Sequence, residues 1–184
     1  MGLRGRALCR LIAGGTVLSV AIVAAVVVFA TLALSAGVAL AEEKEAKEPV
    51  AILELGAAGA WDMHGGSAFG PTAAVEFEPI KNYLVIEAGL TPFFDSSRRA
   101  DWDFDLLFRH SFALSKTVEF EPGIGPTWTS SGQVGAGVSL EFMIWPWQER
   151  KFGWFIDPSY SVTAGHGQTQ QSLGLAVGLL FGFQ

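Results

Sequence analysis

The chain has 184 residues, of which 50% are hydrophobic and only 16% charged, and its net charge is −6. An acidic chain of this kind has no basic patch to neutralise phosphates, which argues against nucleic acid as a partner. Cys9 is the only cysteine, so a disulfide within the chain is excluded. The sequence contains no phosphate-binding loop, CxxC pair or zinc-hydrolase signature, and no cofactor is expected.

The first 41 residues have the pattern of a bacterial secretory signal peptide. Three arginines precede an uncharged apolar run, 11–41, which ends in Ala39-Leu40-Ala41. A basic region, an apolar region and a small-x-small site together predict export through the Sec pathway. The run exceeds the roughly 7–15 residues usual for a signal peptide, so an uncleaved membrane anchor is the alternative. Residues 42–50 are predicted to form a charged periplasmic tether.

Residues 51–184 show the two-residue period of β-strands almost without interruption, and no helical stretch. Turn-type segments such as MHGGS, PIKN and DSSRR divide this region. Eight strands are predicted, at about 51–61, 69–78, 83–94, 102–112, 118–128, 134–145, 154–163 and 172–183.

The two faces of these strands differ in chemistry. One face holds large apolar residues, including fifteen aromatic ones, and no Asp, Glu, Lys or Arg. The other is small and acidic, with apolar exceptions at Ile52, Val85, Leu107, Met143, Trp145, Phe155 and Leu180. An eight-stranded barrel is barely wide enough inside for its side chains, so fifteen aromatic rings cannot point inward. The pattern therefore predicts an all-β, antiparallel up-and-down transmembrane barrel with its apolar face toward lipid.

A periplasmic N-terminus places one set of outward aromatic residues together at the external strand ends. Such a set is typical of the girdle at a membrane interface. Its members are Trp61, Phe69, Phe94, Trp102 and Trp128.

The signal peptide, the eight alternating strands and the outward Phe183 resemble the small eight-stranded outer-membrane β-barrel proteins of Gram-negative bacteria. The resemblance covers residues 51–184. It implies a location in the outer membrane, insertion by the outer-membrane assembly machinery, and contact with outer-membrane lipid and lipopolysaccharide. Members usually end on the aromatic residue itself, whereas this chain continues to Gln184.

Ten acidic residues fall on the inward face with one strand base, Arg109. Ten carboxylates in a narrow lumen cannot all be ionised without compensation by protons, water or cations. One hypothesis is a hydrated plug with acids bonded to Ser, Thr and Tyr83, and the other is a cation pathway or cation site. Small barrels are usually filled, which favours the plug. The set is Glu54, Glu76, Glu78, Glu87, Asp103, Asp105, Arg109, Glu119, Glu121, Glu141 and Asp157.

The tripeptide Arg109-His110-Ser111 raises an enzymatic alternative. Some barrels of similar size are lipid A deacylases, in which a His and a Ser two residues apart both face the lipid. Here His110 and Ser111 are adjacent, so they face opposite sides of the strand and the His cannot activate the Ser. The sequence therefore predicts a protein that is not an enzyme.

Three weaker features complete the prediction. His64 and His166 lie in the first and last external loops, where they could share a metal ion. Arg98 and Arg99 could contact anionic lipopolysaccharide or simply be solvated. Three prolines inside predicted strands each remove a backbone donor and predict local irregularities: Pro122, Pro126 and Pro158.

Overall fold

The computed structural model describes residues 49–81, 83–94, 100–165 and 167–184. The predicted signal peptide and nearly all of the tether lie outside them, as do Arg98, Arg99 and His166. A helix long and apolar enough to span a bilayer does not occur among the described residues. The β-segments are β1 (Ala51–Asp62), β2 (Gly66–Ile80), β3 (Leu84–Phe94), β4 (Ala100–Arg109), β5 (Phe112–Ala113), β6 (Val118–Thr129), β7 (Val134–Ile144), β8 (Phe152–Gly165) and β9 (Gln168–Phe183).

These segments form one antiparallel sheet that closes on itself, with β1 paired to β9. Both β4 and β5 pair with β6, and the register continues unbroken from Arg109 opposite Gly123 to Phe112 opposite Phe120. The two segments are therefore parts of one strand, and the barrel has eight strands. The predicted all-β, eight-stranded up-and-down barrel is confirmed.

The hairpins at one end of the barrel are tighter than predicted. The second strand begins at Gly66 rather than near 69, and the last begins at Gln168 rather than near 172. Gly65 and Gly167 adopt φ values of 99° and 77°, which L side chains rarely tolerate. Because these glycines let the chain reverse within two or three residues, strand pairing extends farther than turn composition indicated.

The three prolines interrupt the ladders as predicted. Pro122 lies opposite the break between β4 and β5, and Pro126 lies in a gap in the pairing of β4 with β6. At Pro158 the pairing of β7 with β8 is also interrupted. There the Leu140 N–H donates to Asp157 Oδ1 at 3.2 Å, so an inward carboxylate satisfies a backbone donor beside the gap.

The outer surface is apolar, with aromatic residues toward both ends. We call the end that carries residues 49–50 and 183–184 the terminal end, and the other the opposite end. All five predicted girdle residues are exposed at the opposite end, and Phe183 is exposed at the terminal end. Trp102 and Phe112 lie ten residues apart on one strand, or about 33 Å along it. With a strand tilt of about 40°, this length corresponds to a height of about 25 Å along the barrel axis. That height matches the apolar band of an outer-membrane barrel.

Arginine in place of Ile124 is expected to lower the free energy of unfolding in lipid vesicles by about 2–4 kcal/mol. Ile124 is 60% exposed in the middle of β6, so the new charge would face hydrocarbon. Val134→Arg, at the end of β7, should cost only about 0–1 kcal/mol because the charge can reach the interface. Urea titration followed by gel mobility measures the free energy of unfolding of both variants. Equally small losses in the two variants would contradict a lipid-facing exterior.

Candidate functional site in the barrel interior

The structure places all eleven predicted lumen residues inside the barrel. Glu76, Glu78, Glu119 and Glu121 border a cavity of about 120 Å³ at the terminal end, and Glu54, Glu87, Asp103, Asp105 and Asp157 border one of about 130 Å³ in the opposite half. We call these the terminal cavity and the outer cavity. Arg109 and Glu141 are buried and contact each other. Whether the acids contact a cation stays a prediction.

Arg109 crosslinks the interior across several strands. The side chain, which is 2% exposed, comes from β4, and its Nε contacts Glu87 of β3 and lies 3.7 Å from Glu76 Oε1 of β2. Its Nη1 lies 3.1 Å from Glu141 Oε2 of β7, and its Nη2 lies 3.3 Å from Asp157 Oδ2 of β8. Charge-assisted contacts of this kind in a dry interior are strong. One guanidinium therefore ties together four carboxylates from four other strands.

The carboxylates around Arg109 exceed the positive charge available. Oxygen atoms of Glu54, Glu76, Glu87 and Glu141 all lie within 4.8 Å of one another, and all four residues are buried. Burying an uncompensated charge costs several kcal/mol. One guanidinium cannot balance this group, so protons, water or cations must supply the remaining compensation.

A buried apolar cluster, which we call the terminal plug, packs inside the barrel near the terminal end, beside the terminal cavity. It consists of Met143, Trp145, Phe155 and Leu180, with Ile52 packed against it. These are five of the seven apolar exceptions in the strand pattern; Val85 and Leu107 are also buried. The exceptions therefore fill the interior and do not contact lipid.

A second base reaches the interior from a turn, which strand periodicity could not indicate. Arg150 is buried, and its Nη1 lies 2.8 Å from Glu119 Oε1. Trp145 Nε1 donates to the other oxygen of the same carboxylate at 2.9 Å. Arg150 has a φ of 49°, in the left-handed region that a non-glycine residue seldom occupies. The 145–151 turn thus contributes two buried side chains, Trp145 and Arg150, to the interior at the terminal end.

His110 and Ser111 do not form a catalytic pair. The His110 Nδ1 lies 2.7 Å from the Tyr83 main-chain oxygen, and its ring contacts the rings of Tyr83 and Phe112. Ser111 instead lines the terminal cavity. Tyr83 is 67% exposed, so the prediction that it bonds to the lumen acids is wrong.

At the opposite end, His64 is held by its neighbour. Its backbone N–H donates to Asp62 Oδ1 at 2.7 Å, and its Nδ1 lies 3.3 Å from the same oxygen. His166, the other half of the suggested metal pair, lies outside the described residues. The shared metal therefore stays a hypothesis.

No protein-family model matches the chain, and no curated protein matches its sequence. Solved structures do match. Neisserial surface protein A is 12% identical with a TM-score of 0.56, over 72% of this chain and 96% of that one. The outer-membrane protein OprG of Pseudomonas aeruginosa is 10% identical with a TM-score of 0.52, over 75% of this chain and 97% of that one. A de novo designed transmembrane β-barrel is 9% identical with a TM-score of 0.53, over 74% of this chain and 98% of that one.

The chain has the fold of a small outer-membrane β-barrel. At these identities the likeness shows the shared fold, and it confirms the resemblance inferred from the strand pattern. The many exposed apolar residues on the outer wall agree with this fold, since an outward-facing apolar band is what a transmembrane β-barrel presents to lipid. The predicted outer-membrane location agrees with both observations.

Proposed function

We propose that the chain is a closed, non-catalytic outer-membrane protein that acts through its structure or its surface and passes no solute. The observation that carries this proposal is the double obstruction of the lumen. The Arg109 contacts cross the middle of the barrel, and the terminal plug and Arg150 occupy much of the interior at one end. Eight strands enclose little more than their own side chains, so both layers support a closed lumen.

The proposed partners are components of the outer membrane and not a large external ligand. At the opposite end β1 and β2 are joined through 63–65, and β6 and β7 through 130–133. Loops this short offer little area for a large external ligand. Outer-membrane lipid and lipopolysaccharide around the barrel wall are therefore the proposed contacts, with the assembly machinery as a transient partner during insertion.

The second candidate function is a narrow channel that favours cations. It is favoured by the acidic lining of both the terminal cavity and the outer cavity, which lie in the two halves of the lumen. Rings of Asp and Glu side chains are the usual lining of cation-conducting pores. In this alternative, the Arg109 contacts would have to open.

Planar bilayers containing the purified chain are expected to show no conductance steps, because both obstructions are formed by buried side chains. Heat-modifiable gel mobility confirms that folded barrel was added, and an open porin serves as the positive control. A reproducible cation-selective current would overturn the closed barrel. The channel alternative further requires that selectivity fall in the double variant Glu76→Gln/Glu119→Gln.

The non-catalytic part of the proposal is supported by the separation of His110 from Ser111, which lie on opposite sides of the barrel wall. Mass spectrometry of lipid A from cells that express the chain tests it. Loss of an acyl chain, relative to cells with an empty vector, would establish an enzyme instead.

A further inference from the structure

We propose that the outer wall at the terminal end binds the headgroup of an anionic phospholipid. The residues of this site, which we call the headgroup site, are Lys81, Tyr83, His110, Phe112 and Lys116. The inference rests on the proposed function, in which membrane lipid is the partner, and it names the class of lipid and the side chains that select it.

Three rings of the headgroup site form a continuous cluster on the outer wall. The His110 ring contacts those of Tyr83 and Phe112 edge to face, with ring centroids 5.7 Å and 4.5 Å away. Tyr83 is 67% exposed and Phe112 is 47% exposed, so the cluster faces outward. Aromatic rings that carry a polar group gather where the hydrocarbon of a bilayer meets its headgroups. The cluster therefore lies at the level of the lipid headgroups.

His110 is a polar residue on a wall that otherwise faces lipid. Its Nδ1 lies 2.7 Å from the Tyr83 main-chain oxygen, and because a carbonyl oxygen can only accept, Nδ1 carries the proton. The other nitrogen of the neutral ring, Nε2, is then an acceptor, and no donor to it occurs in the described part of the chain. Hydrocarbon cannot supply a donor. A headgroup with hydroxyls, such as that of phosphatidylglycerol, carries suitable donors at this depth.

Two exposed lysines flank the ring cluster. Lys81 belongs to the turn between β2 and β3, two residues before Tyr83, and Lys116 belongs to the turn that follows Phe112. The contact between the Tyr83 and His110 rings joins these two neighbouring turns. Lysine side chains extend along apolar surface and place their ammonium groups among lipid phosphates. The headgroup site thus combines positive charge for a phosphate with an acceptor for a hydroxyl.

Exposed bases are confined to the terminal end among the described residues. Lys81, Lys116 and Lys151 all lie in turns at this end, whereas Arg109 and Arg150 are buried. The terminal end is the predicted periplasmic end, and the periplasmic leaflet of an outer membrane consists of phospholipid. Charge complementarity at this end therefore favours anionic phospholipids over zwitterionic ones.

Native mass spectrometry of the folded, detergent-solubilised chain tests the site with dioleoylphosphatidylglycerol and dioleoylphosphatidylcholine, which share their acyl chains. We expect the first phosphatidylglycerol to bind about tenfold more tightly than the first phosphatidylcholine, because two lysines act on its charge. Lys116→Gln should reduce this preference about fivefold, the factor that one lysine contributes near an anionic surface. His110→Phe keeps a ring but removes the acceptor, and it should weaken phosphatidylglycerol binding about threefold.

Lys151→Gln is the matched control. It removes an exposed lysine from the third turn at the same end, beside the exposed Glu149 and outside the headgroup site, so the preference should stay unchanged. Equal losses in Lys116→Gln and Lys151→Gln would show diffuse attraction in place of a site and would overturn the proposal.

Equal binding of the two phospholipids to the wild-type chain would also overturn the headgroup site. So would a preference for lipopolysaccharide over phosphatidylglycerol that Lys116→Gln removes, because the phosphate would then belong to the other leaflet. Gel mobility checks that each variant is folded, and the wild-type comparison decides the question even if one variant fails to fold. Conductance tests the closed barrel separately, so a current would overturn the closed barrel alone, and equal lipid binding would overturn the headgroup site alone.

Discussion

Replacement of Arg109 by methionine is expected to lower the free energy of unfolding of the barrel by about 3–5 kcal/mol. Methionine has a similar length but no charge, so the packed volume is largely kept while four carboxylates lose their shared cation. Removing one member of a buried ionic group leaves the others uncompensated, which costs far more than breaking an exposed ion pair. Urea titration in lipid vesicles, followed by gel mobility, measures the change.

Two further variants separate charge from shape at this position. Arg109→Lys keeps the charge but lacks the planar fork that reaches carboxylates on several strands. Its free energy of unfolding should therefore lie between those of the wild type and Arg109→Met. The double variant Arg109→Met/Glu141→Gln removes one of the stranded carboxylates and should recover part of the loss, because the two residues are 3.1 Å apart. Strictly additive losses in the double variant would show that Arg109 does not act through these carboxylates.

Trp145→Ala is expected to be similarly severe, at about 3–5 kcal/mol. Trp145 is completely buried in the terminal plug, and its Nε1 donates to Glu119. Truncation would leave a cavity among Met143, Phe155 and Leu180. It would also remove one hydrogen-bond donor from the Glu119 carboxylate, which Arg150 contacts as well. The same urea titration, with tryptophan fluorescence as a second signal, measures the loss.

The control is in the same turn. Trp147 is 55% exposed, so Trp147→Ala deletes the same side chain with little change in the interior and should cost less than about 1 kcal/mol. Trp145→Phe keeps most of the ring volume and loses the hydrogen bond to a charged group, which is worth about 1.5–3 kcal/mol. If Trp145→Ala and Trp147→Ala behaved alike, the terminal plug would not be a stabilising core.

Neighbouring residues show how far alternation alone could predict the barrel. Glu76 is buried and Phe77 is exposed, although the two are consecutive, because successive side chains in a strand point to opposite faces. An eight-stranded barrel cannot enclose fifteen aromatic rings, so this alternation also decided which face meets lipid. Strand number, the direction of each face and the aromatic residues at both ends were therefore predictable before any coordinates.

The partners of each inward residue were not predictable in this way. Arg109 was correctly placed on the inward face, but its contacts with Glu87, Glu141 and Asp157 depend on the shear and closure of the barrel. Arg150 lies in a turn, where the two-residue period carries no information about direction.

Local sequence therefore determined the strands and their two faces, because side-chain direction in a strand depends only on position along it. Tertiary structure alone decided which carboxylates share Arg109, which apolar residues form the terminal plug, and where Glu54 is left with a buried oxygen. These contacts join residues from strands distant in sequence, and only closure of the barrel brings them within a few ångströms of one another.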